Sequence, residues 1–227
     1  MLGVVLKLVL LIGLLFVSFG PNYSFVLFDV VYGKKWSSTE APAVLAWYCL
    51  YILCIAANGV LEAFLFAAIS RTELHSYNRY MIGFSAVYLT AAVLLVPFGA
   101  RGAVWANCLN MIIRIVYSAM YVARLLAHYR ATDDVQAEPI KKGSTAADVL
   151  WTAALPAPFL VAAFAGTFAI TATSFHTLQV ADCNNLICYA KHVLTGIVAL
   201  VGVIVVGWIT ERTLVSQIRD LVRRKRT

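Results

Sequence analysis

The chain has 227 residues, 62% of them hydrophobic and only 13% charged, with a mean hydropathy of +0.82. No soluble domain carries that much apolar surface, so composition excludes one and indicates a polytopic membrane protein. The net charge of +7 could suggest nucleic acid, but no nucleic-acid partner is expected, because the basic residues cluster at the ends of apolar runs and the terminal RRKR suits anionic lipid head groups.

Nothing in the chain alternates in the manner of a barrel strand, so its membrane spans are helices. At about 20 residues per crossing, six apolar runs qualify: 2–20, 43–69, 77–98, 102–126, 149–174 and 189–210. The expected fold is all-α, with about six transmembrane helices. The first run has too long an apolar core for a signal peptide and no small-residue cleavage site, and its Lys7 snorkels towards the cytosol. Residues 21–42 then read as a non-cytosolic stretch. Within it the apolar patch 25–31 is a re-entrant or interfacial segment, with Tyr32 and Trp36 at head-group depth. Asn22-Tyr23-Ser24 matches the glycosylation pattern but lies too close to the membrane for efficient modification.

The second span carries Asn58, Gly59 and Glu62 among several alanines, a composition that allows close helix approach. The loop SRTELHSYNR (70–79) follows, short and mixed in charge, with His75 solvated. The third span ends at Pro97 and Gly99 in a tight turn. Residues 127–148 are polar and without periodicity, a cytosolic linker. The fifth span should kink or pack tightly at Pro156 and Pro158. In the loop after it, Cys183 and Cys188 are candidates for a small disulfide if the compartment is oxidising. With His176 and His192 they offer too few ligands at standard spacing for zinc, so no metal is expected. Cys49, Cys54 and Cys108 read as packing residues. Beyond the sixth span, Leu214, Ile218, Leu221 and Val222 recur at helical spacing, giving a basic amphipathic cytosolic tail over 211–227.

Six spans put both ends on one side. That side holds Arg71, Arg79, Arg124, Arg130, Lys141, Lys142, Arg212, Arg219, Arg223, Arg224, Lys225 and Arg226, against Lys34, Lys35, Arg101 and Lys191 opposite. Twelve against four is a positive-inside bias that places both termini in the cytosol.

The chain is organised around residues 106–115, ANCLNMIIRI. Asn107, Asn110 and Arg114 are spaced i, i+3, i+7 and share one stripe of a helix. A guanidinium near mid-membrane costs at least a few kcal/mol unless it faces a partner or a water-filled cavity. Glu62, one turn beyond Asn58, is the acidic residue that falls well inside a span. Two readings follow: a structural ion pair joining two helices, or a polar path for an anionic substrate.

ANCLNMIIRI, preceded by NGVLEAFLFAA (58–68) and FGPNYSFVLFDVVYGKKW (19–36), resembles the eukaryotic Rft-type family of lipid-linked-oligosaccharide translocation proteins. That family belongs to the multidrug/oligosaccharidyl-lipid/polysaccharide exporter superfamily. The resemblance covers about residues 13–124, and the hydropathy pattern extends it. It implies an endoplasmic reticulum membrane protein acting in N-glycosylation, which helps a dolichol-diphosphate oligosaccharide cross from the cytosolic to the lumenal leaflet. It further implies one helical bundle of a flippase with a central polar cavity. Family members are much longer, so a partial chain is expected, with membrane lipid, the missing N-terminal bundle or other glycan-assembly proteins as further partners. In that role Arg114 is a bidentate donor to phosphate, and Asn58, Asn107 and Asn110 face sugar hydroxyls. Glu62 would hold Arg114 between substrates. No cofactor is implied. An intramembrane enzyme would need a DxD, HxxxD or comparable arrangement, which the sequence lacks. A non-transporting subunit that organises lipid-linked-oligosaccharide assembly is the remaining alternative.

Overall fold

The computed structural model describes residues 2–132, 155–183, 186–212, 214 and 216. Among them every regular element is helical. They are α1 (Leu2–Tyr32), the short α2 (Lys34–Ser37), α3 (Ala41–Ala68), α4 (Arg71–Leu94), α5 (Gly99–Thr132), α6 (Pro158–Thr177) and α7 (Leu186–Thr210), with 3-10 turns at Val96–Phe98 and Val180–Asp182. Five of these, α1, α3, α5, α6 and α7, are long and apolar enough to cross a membrane. Ile82, Leu89, Val93, Ile197, Val198 and Trp208 are among many large apolar side chains left exposed, as lipid-facing surface should be. The protein is an all-α polytopic membrane protein.

Three expectations change. The chain does not leave its first helix at Gly20-Pro21. Instead α1 runs through Pro21 to Tyr32, and the patch 25–31 continues that helix instead of re-entering. Proline removes one i→i−4 hydrogen bond, and neighbouring helices can make up for it. Here Asn22 and Tyr23, in the turn after Pro21, bond to α6 and α7.

The loop 70–79 is also helical, because Ser70 and Glu73 form a reciprocal capping box that starts α4. The motif S-x-x-E was legible in the sequence. As a result α4 has a polar first half, and for that reason it is not among the five strongly apolar helices. Its 24 residues still reach about 36 Å at about 1.5 Å per residue.

The helix of the fifth span begins at its prolines. Pro158 occupies the first turn of α6, where a missing N–H costs nothing, and the Glu211 carboxylate accepts from the Ala157 N–H at 2.8 Å. The expected start of that span at 149–154, the bulk of the linker 127–148 and the tail from 217 lie outside the described residues.

The chain divides into two compact units, Met1–Leu10 with Cys54–Leu155, and Leu11–Leu53 with Pro156–Thr227. In the first, Leu6, Leu61 and Ala119 form a core joined by Val60 and Ile115. There α4 and α5 make a hairpin closed by Gly99 at φ 60°, a conformation that favours glycine. Gly102 is required beside it, since a Cβ there would overlap the Leu95 carbonyl oxygen. In the second, Leu160, Phe164 and Val203 pack with Leu11, Leu14 and Leu15, and Gly13 and Gly20 let α1 approach Leu53 and Cys49 of α3, the close packing that small residues permit between membrane helices.

Candidate functional site

The first unit gathers its polar side chains on one carboxylate. On α3, Asn58 Nδ2 donates to Glu62 Oε2 at 2.9 Å. From α4, the Tyr77 hydroxyl donates to Glu62 Oε1 at 2.6 Å. From α5, Arg114 donates through Nε to Oε1 at 2.8 Å and through Nη2 to Oε2 at 2.7 Å. Glu62 therefore accepts four hydrogen bonds from three helices. The fork-to-fork contact is the strongest form an arginine–carboxylate pair takes.

Asn58, Glu62 and Tyr77 are buried, whereas the Arg114 side chain keeps 24% of its exposure against 10% for that of Glu62. Asn58 Oδ1 is buried and has no hydrogen-bond partner among the described residues. Aromatic rings wall the cluster. Tyr77 meets Phe66 edge-on at 5.3 Å and Tyr117 at 5.5 Å, and Tyr117 also touches Tyr80 and Phe84. Such a low-dielectric wall strengthens the charge pair and raises the cost of breaking it.

The structure thus brings together Asn58, Glu62 and Arg114 of the expected site and adds Tyr77. Sequence reading missed Tyr77, because nothing in the sequence says that a tyrosine at a helix start will reach a carboxylate 15 positions earlier. Asn107 is not drawn in, since its Nδ2 donates back to the Ala103 carbonyl of its own helix at 3.0 Å. Asn110 is half-buried and belongs to no hydrogen bond among the described residues. Both extend the Arg114 stripe along α5 but do not contact Glu62.

The second unit contains a polar cluster that sequence reading did not anticipate. Asn22 Nδ2 donates to Thr171 Oγ1 at 2.8 Å and to the Phe168 carbonyl at 3.1 Å, an arrangement at odds with a glycan acceptor. The Tyr23 hydroxyl donates to the His192 carbonyl at 2.7 Å, and its ring stacks on the imidazole at 4.3 Å. His192 is fully buried. Its Nε2 lies 3.1 Å from the Asn22 carbonyl, which only accepts, so Nε2 carries a proton, and Nδ1 lies 3.0 Å from the Ser174 hydroxyl. Both nitrogens of the imidazole have hydrogen-bond partners. An apolar groove of about 490 Å³ runs beside it between α1 and α7, past Phe16, Phe19, Tyr23 and Gly196.

Cys183 and Cys188 interact through their side chains, and no disulfide joins them in this structure. Cys188 Sγ also donates to the Leu178 carbonyl at 3.3 Å.

The family model of the Rft protein matches residues 1–221. The chain belongs to the Rft family. Among its curated relatives, the Man(5)GlcNAc(2)-PP-dolichol translocation protein RFT1 of Xenopus tropicalis is 33% identical over 219 residues, covering 95% of this chain and 36% of that protein. The protein of the same name from Mus musculus is 42% identical over 118 residues, 52% of this chain and 22% of that protein. The one from Schizosaccharomyces pombe is 36% identical over 111 residues, 48% and 21% respectively. This Rft chain spans about a third of the length of the first of these. No solved structure matches it.

Proposed function

We propose that this Rft chain acts in moving a dolichol-diphosphate-linked oligosaccharide from the cytosolic to the lumenal leaflet of the endoplasmic reticulum membrane, for N-glycosylation. Its named relatives are translocation proteins for such a lipid. The observation that carries the reading is a two-pronged guanidinium on membrane-spanning helices, paired with one carboxylate and still part-exposed. Diphosphate presents the same planar pairs of oxygens as Glu62 and competes for the same fork. Asn58, Asn107 and Asn110 supply amides suited to sugar hydroxyls, while the lipid tail stays in the bilayer. This is binding chemistry, not bond-making chemistry. Both termini face the cytosol on the strength of the twelve-to-four basic bias, with α4 crossing as the third helix. Cysteine labelling in sealed microsomes tests the orientation, and lumenal protection of the tail would reverse it.

A second reading has one observation in its favour: Glu62 is fully satisfied by its four donors, as a purely structural pair in a non-transporting assembly subunit would be. Replacing Arg114 and Glu62 together with apolar residues of similar size separates the two. In a glycosylation-deficient strain, at matched protein level, the transport reading expects glycosylation to stay defective. Full recovery would make the pair structural.

A further inference from the structure

The stripe of Asn107, Asn110 and Arg114 does not stop at the arginine. Tyr117, Tyr121 and Arg124 continue it at the same alternating spacing of three and four residues, so all six share one seam of α5. All six are half-buried or exposed, and the seam is about 25 Å long at about 1.5 Å per residue. Arg114 divides it. On one side lie the two amides. On the other, towards the end that the basic bias puts at the cytosol, lie the two tyrosines.

The tyrosine half is an aromatic cluster with an open member. Tyr117 packs against Tyr77, Tyr80 and Phe84 of α4, with ring centroids 5.5, 5.3 and 5.8 Å from its own. Tyr77 is 2% exposed, whereas Tyr80 keeps 54% of its exposure. Neither the Tyr80 nor the Tyr117 hydroxyl belongs to a hydrogen bond among the described residues. Charged groups rim the cluster: Glu73, which accepts from the Tyr121 hydroxyl at 3.2 Å, and Arg124 both act electrostatically on Tyr117. An open ring with fixed rings behind it and charged groups beside it suits a sugar. The C–H groups on one face of a pyranose carry partial positive charge and pack on the negative face of an aromatic ring, while its hydroxyls bond to the polar groups around it.

We propose that Tyr80, held in place by Tyr117, is the platform on which a sugar ring of the oligosaccharide stacks while Arg114 holds the diphosphate, making the chain selective for glycosylated over sugar-free lipid diphosphate. Tyr117 lies three residues beyond Arg114, about 4.5 Å along α5, so a sugar carried directly on the diphosphate falls within reach of the cluster. Asn107 and Asn110 serve the sugar on the far side of the arginine, and the seam becomes a track with an aromatic entry and an amide exit. The assignment rests on Arg114 being the diphosphate contact. A tyrosine at head-group depth that only anchors its helix gives no preference between the two lipids.

The test is calorimetry on the full chain in lipid nanodiscs with two probes of equal charge, farnesyl diphosphate capped by a methyl group and farnesyl diphosphate capped by chitobiose. Tyr80→Leu should weaken binding of the chitobiosyl probe roughly three- to tenfold, the worth of one aromatic contact. It should leave the affinity for the methyl probe as it was, which also shows that the variant is folded. Tyr80→Phe and Tyr80→Trp keep a ring and should keep the affinity for the sugar. An unchanged chitobiosyl affinity in Tyr80→Leu, or a loss shared equally by both probes, overturns the platform and leaves the Arg114 contact standing. Absence of binding by either probe, or methyl-probe binding that survives in the Arg114→Leu, Glu62→Leu double variant, overturns the diphosphate contact and the platform with it.

Discussion

Arg114 and Glu62, 52 positions apart, meet through two parallel hydrogen bonds of 2.8 and 2.7 Å. That contact joins α3 to α5, with Tyr77 of α4 bonded to the same carboxylate, so one side chain ties three helices together. Removing Arg114 leaves the buried Glu62 charge unpaired, and removing Glu62 leaves the part-buried guanidinium without its counter-charge. Arg114→Leu or Glu62→Leu alone is therefore expected to destabilise the protein by about 3–5 kcal/mol. The double variant should recover most of that loss, because the interaction energy of contacting residues is not additive. Tyr77→Phe removes one bond to a charged acceptor and is expected to cost about 1.5–3 kcal/mol. Thermal unfolding in detergent measures all four, and additive single losses would show that the pair is not coupled.

Gly196 is the close-approach point of the second unit. A Cβ there would overlap the Tyr23 hydroxyl, which holds the His192 carbonyl at 2.7 Å. Gly196→Ala should lower stability by about 1–3 kcal/mol through overpacking. Tyr23→Phe should relieve only part of the clash, since the ring carbon that bears the hydroxyl is also too near. The same unfolding assay on Gly196→Ala, Tyr23→Phe and their double variant decides it, and an unchanged melting temperature for Gly196→Ala would contradict the packing described.

The capping box at the start of α4 predicts a pH dependence. Glu73 is held below the ordinary carboxylate value of 4.5, first by the Ser70 hydroxyl and then by the Ser70 N–H, with the Tyr121 hydroxyl adding to the effect. A carboxylate with a depressed folded pKa stabilises the fold fully above its unfolded value, and this contribution is lost as the pH falls through the folded value. The stability of the unchanged protein relative to Glu73→Gln should therefore be constant near neutrality and shrink below about pH 4.5. Melting temperatures of both across that range are the measurement, and a difference that grows on acidification would reverse the sign.

Cys183 and Cys188 interact through their side chains in the second unit. In an oxidising lumen they should form an intramolecular disulfide. Alkylation before and after reduction, read by mass spectrometry, checks this. Labelling of both thiols without reduction would show that they stay free.

Apolar content and the length of the runs determined the class and most of the helices, because burying a helix in lipid demands about 20 apolar residues whatever surrounds it. The i, i+3, i+7 spacing put Asn107, Asn110 and Arg114 on one stripe, and the rarity of intramembrane acids pointed to Glu62. Hydropathy could not tell a proline that ends a helix from one that neighbours sustain, and Pro21 was misread for that reason. Only the tertiary structure showed that Tyr77 completes the carboxylate, that Asn107 turns back to its own helix, and that Asn22, Tyr23 and Ser174 close a network around the buried His192. These are contacts between helices far apart in sequence. Membrane helices choose their partners by side-chain fit and hydrogen bonding, not by hydrophobicity, since lipid is as apolar as any helix face, and hydropathy therefore carries no record of which polar groups will meet.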